Sequence, residues 1–329
     1  MYASKEKGVS VIVCCYNSAL RIGKTLRGLA AQRLDKADQL EVILVDNGCT
    51  DYTSLVAAKE WESCHSIFPL HIHKELKKGL TSARQKGIDA AIYDNLLFCD
   101  DDNWLSSDYV DNAFACLNKD IKIGACGGLG VAVFENEAPG WFGLYAEAFA
   151  TGPQHVRSAA GTLISLYGAG LAVKKQALIH LNQSGFKPVL SGRLGNSLSS
   201  GEDTELTNAL VLAGYRLEYC PQMVFRHYMP ASRMNRTYLH KLFKSFGQDA
   251  PVRNVYNSYL QPESFQRWMG NWWLHLFTAI LRTVKYLVMP PKKSGRTIYL
   301  IWSIAYLKML FKLKPSYSLL KKNIDILKH

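Results

Sequence analysis

The feature that most constrains this chain is a set of apolar runs in its first hundred residues, each closing on polar residues. Segments of helical period separate them. Val9 to Tyr16 is apolar almost throughout and stops at Asn17-Ser18, a turn and N-cap signal. Leu20, Ile22, Leu26, Leu29 and Ala30 then share one helical face. Leu40 to Asp46 predicts a second strand, 52–62 a helix, Ile67 to His73 a third strand and 80–93 another helix. The run Leu96 to Cys99 then delivers three consecutive acids, Asp100-Asp101-Asp102. This alternation predicts βαβ units, a Rossmann-like and mostly parallel sheet flanked by helices. Ligands of such α/β sheets bind at the carboxyl ends of the strands. Tyr16-Asn17, Asp46-Asn47 and the acidic triplet all fall at such ends and are expected to converge on one edge.

Beyond residue 124 the pattern loosens, with Gly124, Gly127, Gly128 and Gly130 opening a stretch that reads as irregular as far as Gly170. Leu171 to Val173 predicts a short strand, Glu202 to about Ala213 a helix, and Arg216 to Cys220 a short strand ending before Pro221. Met223 to His227 leads into a cationic stretch from Arg233 to Lys244. No internal repeat and no low-complexity linker is present in the sequence.

Each polar cluster admits two readings. Carboxylates at i and i+2 of an extended segment point the same way, so Asp100 and Asp102 could bracket a ribose or a hard divalent ion such as Mg²⁺ or Mn²⁺. The triplet could equally be an acidic loop that caps a turn. Asp46 could accept a hydrogen bond from a nucleobase, or could close an Asx-turn before Asn47-Gly48. Of Glu202 and Asp203, one suffices to cap the helix that begins there, which leaves the other to serve as a general base. Arg226, Arg233, Arg236, Lys241 and Lys244 form either a phosphate-binding cluster or a solvated helix face. His227 is either a metal ligand or a packed, hydrogen-bonded side chain.

Taken together, these stretches resemble the family 2 glycosyltransferases, inverting enzymes of the GT-A fold. Tyr16-Asn17 matches the family's YN, and Glu41-Val42-Ile43-Leu44-Val45-Asp46-Asn47-Gly48-Cys49-Thr50-Asp51 resembles its EVIVVDDGSTD. Ala83-Arg84-Gln85-Lys86-Gly87 resembles ARNxG, Asp100-Asp101-Asp102 the DxD motif, and Gly168-Ala169-Gly170-Leu171-Ala172 the GAxxA element. Glu202-Asp203 resembles ED, and Arg233 to Gln248 a basic, aromatic stretch ending in FGQ. The departures are Asn47 for the second acid, Cys49 for serine, and Leu76-Lys77-Lys78-Gly79 in place of NxG.

The resemblance implies a metal-dependent transferase that moves a sugar from a nucleotide-diphosphate donor to a glycan or lipid-linked acceptor. It implies that Asp46 reads the base, with Tyr16, Asn17, Gly168 and Ala169 around the donor, and that Arg84 supports the nucleotide. Asp100 and Asp101 lie by the ribose, while Asp102, with Asp100 and His227, holds the Mn²⁺ or Mg²⁺. Asp203, beside Glu202, deprotonates the acceptor, and Arg233 and Arg236 balance the leaving group. Sugar selectivity is expected from loops near 130–165 and 185–200. Two other functions fit parts of the pattern. One is a sugar-nucleotide nucleotidyltransferase, although its Gly-rich phosphate loop is absent where Val13 to Asn17 stands. The other is a catalytically silent scaffold that binds glycan or membrane.

The formal charge of +12 is unevenly distributed. Residues 1–225 hold 21 Lys and Arg against 24 Asp and Glu; residues 226–250 hold 5 against 1, and residues 251–329 hold 13 against 2. The division expected is a catalytic domain over 1–250 and a basic, amphipathic helical tail over 251–329. In the tail Trp272, Trp273, Leu276, Phe277, Ile280 and Val284 are placed on one helical face, with His275, Arg282 and Lys285 elsewhere. Thr297 to Leu313 is short for a span and carries Lys308 and Lys312, so the tail is expected to lie on an anionic membrane surface. It carries no nucleic-acid module and is too apolar for a phosphate-binding arm. The eight cysteines show no metal-binding spacing, and Met1 to Lys7 does not read as a signal peptide. Reduced thiols and the cytoplasmic face of a membrane are therefore expected.

Overall fold

The computed structural model describes residues 7–158, 161–193, 198, 201–290 and 295–328. Parts of the two selectivity loops (159–160, 194–197 and 199–200) and residues 1–6 of the N-terminal stretch lie outside these residues. The N-terminal half runs β1 (Gly8–Cys15), α1 (Ile22–Ala30), β2 (Gln39–Asp46), α2 (Thr53–Ser63), β3 (Leu70–Lys74), α3 (Leu80–Ala90), β4 (Asn95–Asp100), β5 (Asn103–Leu105), α4 (Tyr109–Asn118) and β6 (Ile123–Phe134). It continues through β7 (Ala172–Lys174), α5 (Lys175–Gln183), α6 (Glu202–Leu212) and β8 (Arg216–Met229). Helices α7 (Arg236–Leu260), α8 (Trp272–Val288), α9 (Arg296–Leu313) and α10 (Tyr317–Asp325) complete it.

The strands form one sheet in the order β3-β2-β1-β4-β7-β6-β8-β5. β1 pairs in parallel with β2 and β4, β2 with β3, and β6 with β8, while β7 and β5 run antiparallel to their neighbours. The apolar runs are continuous because both faces are covered. Val11, Val13, Val42 and Leu44 enter one core with α1 and α4. Ile12, Ile43, Val45 and Phe98 enter the other with α6, α7, α9 and α10.

Two readings of the sequence are corrected here. The stretch after residue 124 is not irregular at its start, because β6 extends for 12 residues and is followed by a 3-10 helix over Phe142–Phe149. Its glycines hid the strand, yet one of them shapes it: a Cβ on Gly128 would collide with the Met223 carbonyl of β8. The two segments at 216–220 and 223–227 are one strand, β8, that bulges between Tyr219 and Val224 opposite Gly128. Pro221 sits in that bulge, where no ladder N–H is needed.

The tail does not separate at residue 250, which lies inside α7. Tyr306, Leu310, Tyr317, Leu320 and Ile324 share a core with Phe98 and Val173. On α8 the placement of His275 is also corrected. It is buried, with its Nδ1 2.8 Å from the Tyr317 hydroxyl, and the neighbouring Trp272 is buried while Trp273 is exposed. The reading of every cysteine as reduced is corrected at Cys116 and Cys220, which are joined as a disulfide across 104 residues of chain. No local spacing encodes such a pairing.

Candidate active site

Register alone brings the polar strand ends together. Cys15 of β1 pairs with Asp46, and Cys14 pairs with Asp100, so Asp46 and Asp100 flank the end of one strand. On the other side β7 runs antiparallel to β4, and the Phe98 N–H donates to the Leu171 carbonyl at 2.8 Å. That bond sets the Gly168-Ala169-Gly170 loop beside the acidic triplet. β5 pairs Asn103 with His227, and the Tyr228 N–H donates to the Asp102 carbonyl at 2.9 Å. Three different neighbours thus fix one acidic turn.

Each acid of the triplet has its own environment. Asp101 turns back toward α1, where Ser18 Oγ donates to it and Arg21 Nη2 lies 2.7 Å away. Asp102 is buried, which raises its pKa. His227, with Nε2 at 3.5 Å, and Arg233, with Nη1 at 2.8 Å, outweigh that and hold it well below the carboxylate range. The other nitrogen of His227, Nδ1, sits 2.9 Å from the Phe149 carbonyl. Donation there leaves Nε2 as the nitrogen that faces Asp102. Asp100 keeps only a 3.5 Å contact from Asn103 Nδ2, and burial followed by the Asp102 charge raises its pKa.

Across the cavity Arg84 of α3 is buried over the Phe98 ring, pairs with Asp203, and lies 3.5 Å from Glu202 Oε1. Burial pushes the Glu202 carboxyl up to about 8, with the Asp203 charge adding to it. Its Oε2 is buried and has no hydrogen-bond partner among the described residues. Gly168 is required here, because a Cβ would overlap the Asp203 carboxylate. Asp100, Asp101, Asp102, Arg84, Gly168, Ala169, Glu202, Asp203, His227 and Arg233 all line one cavity of about 580 Å³.

Four expected donor residues do not line that cavity. Asp46 accepts from the Cys49 N–H at 2.8 Å and from Ser54 Oγ at 2.6 Å. Burial raises its pKa, and these bonds more than reverse the effect. Asn17 is left-handed, with φ of 52°, and its side chain accepts from the Thr50 N–H at 2.8 Å. Tyr16 is exposed at the strand end, and Arg236 is exposed at the start of α7. Sequence reasoning missed Arg21 and Arg193, which line the cavity as two further cations. It caught the aromatic wall only in part: Tyr238, Phe243 and Phe246 fall in the basic, aromatic stretch and Tyr145 and Phe149 in an expected selectivity loop, while Tyr299 was missed. Nothing local marks them as one wall, since three separate elements supply them.

A hard divalent ion suits the chemistry of this donor set. Asp100 is a buried carboxylate with one long contact, Asp102 is already compensated by cations, and His227 directs a nitrogen at it. The side-chain oxygens and nitrogen do not yet converge. Among the described residues, the ligand atoms of Asp100, Asp102 and His227 do not all lie within 4.8 Å of one another.

Residues 10–173 match the sequence profile of Glycosyl transferase family 2. The chain belongs to that family. Among curated relatives, EpsH of Bacillus subtilis (strain 168) is 30% identical over 118 residues, which is 36% of this chain and 33% of EpsH. A poly-β-1,6-N-acetyl-D-glucosamine synthase of Staphylococcus aureus (strain COL) is 24% identical over 216 residues, 65% of this chain and 48% of the synthase. The matched stretches thus span about half or less of these relatives' length. Among solved structures, the mannosyltransferase PcManGT of Pyrobaculum calidifontis, in complex with GDP-Man and Mn²⁺, aligns with a TM-score of 0.57 at 21% identity. That alignment covers 97% of this chain and 85% of PcManGT. Residues 1–349 of S. aureus TarS, in complex with UDP-GlcNAc, align at 0.55 and 17% identity over 98% of this chain and 89% of theirs. Family 2 membership and the GT-A fold agree with the order of motifs along the chain.

Proposed function

We propose that this protein is an inverting, metal-dependent glycosyltransferase that moves a sugar from a nucleotide-diphosphate donor to a glycan or lipid-linked acceptor. One observation carries the reading. A single cavity at the strand carboxyl ends holds an acidic, metal-competent side and an Arg84-anchored Asp203 together. The donors named for the matched structures, GDP-Man and UDP-GlcNAc, are nucleotide-diphosphate sugars and support the same substrate class.

In this mechanism Asp46 and the Tyr16-Asn17 turn receive the nucleoside, with the free lone pairs of Asp46 available to a base N–H. Asp100 faces the ribose. Asp102, Asp100 and His227 would hold Mn²⁺ or Mg²⁺, which when bound neutralises the diphosphate. Arg233, with Arg236 nearby on α7, adds cationic charge on that side. Arg84 fixes the Asp203 carboxylate, which accepts the proton of the acceptor hydroxyl. That oxygen bonds to the anomeric carbon as the bond to the donor phosphate breaks, and nucleoside diphosphate leaves. Burial favours the protonated form of Glu202, which spares Arg84 a second negative charge. The basic tail favours a peripheral position on an anionic membrane. Among the described residues no helix is long and apolar enough to cross one.

The test is Mn²⁺-dependent release of nucleoside diphosphate across a panel of nucleotide sugars. Turnover with one donor, lost in both Asp102→Ala and Asp203→Asn, supports the reading. Full turnover in both variants overturns the roles assigned to these residues. A nucleotidyltransferase would instead produce pyrophosphate from a nucleoside triphosphate, and a silent scaffold would release nothing.

A further inference from the structure

Helix α8 presents two unlike sides. Trp272, His275, Ala279 and Thr283 are buried against the rest of the protein. Opposite them, Trp273, Phe277, Ile280, Leu281, Val284, Leu287 and Val288 are exposed, from 43% at Ile280 to 76% at Val288. At 100° per residue these seven side chains fall within an arc of about 120°, one unbroken stripe. Phe311 of α9 extends it: this side chain is 55% exposed and packs edge-on against Trp272, with ring centroids 5.9 Å apart. An exposed apolar stripe of this length marks an interaction surface.

The charges around the stripe all have one sign. Lys285 is exposed on α8, Lys308 and Lys312 on α9, and Lys314 holds its ammonium 4.7 Å and 4.9 Å from the ring centroids of Trp272 and Trp273. No Asp or Glu occurs between Glu263 and Asp325. A protein partner would have to present apolar and acidic groups in register with this stripe. An anionic bilayer supplies both everywhere, with acyl chains below a negative headgroup layer.

The opposite, packed side of α8 adjoins the cavity wall. Tyr286, near the end of α8, stacks on Tyr299 of α9 at 5.3 Å. Tyr299 lines the cavity together with Tyr145, which packs edge-on against Phe243 at 5.3 Å. Aromatic side chains therefore link the packed side of α8 to the space that holds Asp203.

We propose that the exposed face of α8 beds in the headgroup layer of an anionic phospholipid bilayer, with the cavity on the protein side of that helix. The basic groups hold the protein at the negative surface, and the apolar stripe inserts to the depth of its side chains. This deepens the glycosyltransferase reading by naming the element that meets the membrane. It rests on that reading only for the chemistry inside the cavity.

The test is flotation of the full-length protein with phosphatidylcholine vesicles, with and without phosphatidylglycerol. The wild type is expected to float with the phosphatidylglycerol vesicles and to be released by high salt. Phe277→Glu and Val284→Glu are each expected to weaken binding by about tenfold or more, since each replaces a buried apolar contact with a charge. Both sites are exposed, so the melting temperature and the release of nucleoside diphosphate from soluble donor should match the wild type. Failure of the wild type to bind phosphatidylglycerol vesicles overturns the proposal, as does undiminished binding by both variants. A dimer in light scattering that these substitutions dissolve, without vesicle binding, places a second copy on the face and overturns it too. Vesicle binding by a protein that turns over no donor leaves the surface standing and removes the enzymatic reading instead.

Discussion

Glu202 and Asp203 are consecutive, yet the fold gives them different work. Asp203 is held by Arg84, while Glu202 is buried, has an orphaned oxygen, and is pushed up to about 8. A carboxyl raised above its unfolded value of 4.5 contributes stability that is complete below that value and lost as pH climbs toward 8. Glu202→Gln mimics the protonated form and should abolish this slope. Thermal unfolding from pH 5 to pH 9 should then show the wild type losing about 2–4 kcal/mol more than the variant. Asp203→Asn should lower the rate of nucleoside diphosphate release by about 10²-fold or more, with donor affinity held within a few-fold, because it removes a proton acceptor and no donor contact. Steady-state rates and calorimetric donor binding separate the two effects. The same logic makes Gly168→Ala informative at a site with no chemistry of its own. Its methyl group would displace the Asp203 carboxylate, so activity should fall well before stability does.

At the scale of elements, what could be read in advance was what the chain writes locally. Strands β1, β2 and β4 announced themselves as apolar runs, and their closing residues, Asp46 and Asp100, really are neighbours across β1. β6 stayed hidden because its glycines serve close approach, Gly128 to β8 and Gly127 to Gln154, and not β-propensity. Asn47 shows a finer limit. Its amide donates to the carbonyls of Glu75 and Lys77 at 3.2 and 2.8 Å, and its oxygen accepts from the Gly79 N–H at 2.7 Å. A carboxylate would face those two carbonyls, so Asn47 suits this loop whatever its relation to the donor. Glu205, a third acid in the first turn of α6 after Glu202 and Asp203, carries no mark of its role in the sequence. It proves to be a tie between elements, accepting from the Val189 and Leu190 N–H groups at 3.0 and 2.6 Å and from the Tyr256 hydroxyl of α7 at 2.9 Å. Glu205→Ala should cost about 3 kcal/mol, because it leaves buried donors unsatisfied, and Tyr256→Phe about 1 kcal/mol. Urea unfolding measures both. A loss for Tyr256→Phe larger than that for Glu205→Ala would mean that the Tyr256 hydroxyl is satisfied by more than this carboxylate, and would sink the tie as drawn.

For the molecule as a whole, the charge asymmetry suggests a division near residue 250 that the packing does not follow. α7 runs through that position, and Pro251 within it withholds one backbone donor without ending the helix. Downstream, Leu310, Tyr317, Leu320 and Ile324 are buried in the same core as Ile12 and Phe98 of the central strands. Tyr306 bridges the two parts in polar terms, since its hydroxyl accepts from Asn254 Nδ2 at 2.7 Å and also meets His275. Burial and the nearby Arg282 hold that histidine down at about 3, so it is neutral throughout the physiological range and adds no charge to the basic tail. The acidic part and the basic tail therefore share one core and are expected to unfold together. Removing residues 251–329 would open the core that they share with the central strands, and the loss of several fully buried side chains, each contributing roughly 1.5–3 kcal/mol, exceeds the stability of an ordinary domain. Residues 1–250 alone should accordingly lack a cooperative melt and bind a hydrophobic dye, whereas the full chain should unfold in a single transition. A sharp melt for the truncated chain would show that the sheet closes without its tail. In that case the helices that carry the apolar stripe would be an attachment to the catalytic core and not a wall of it.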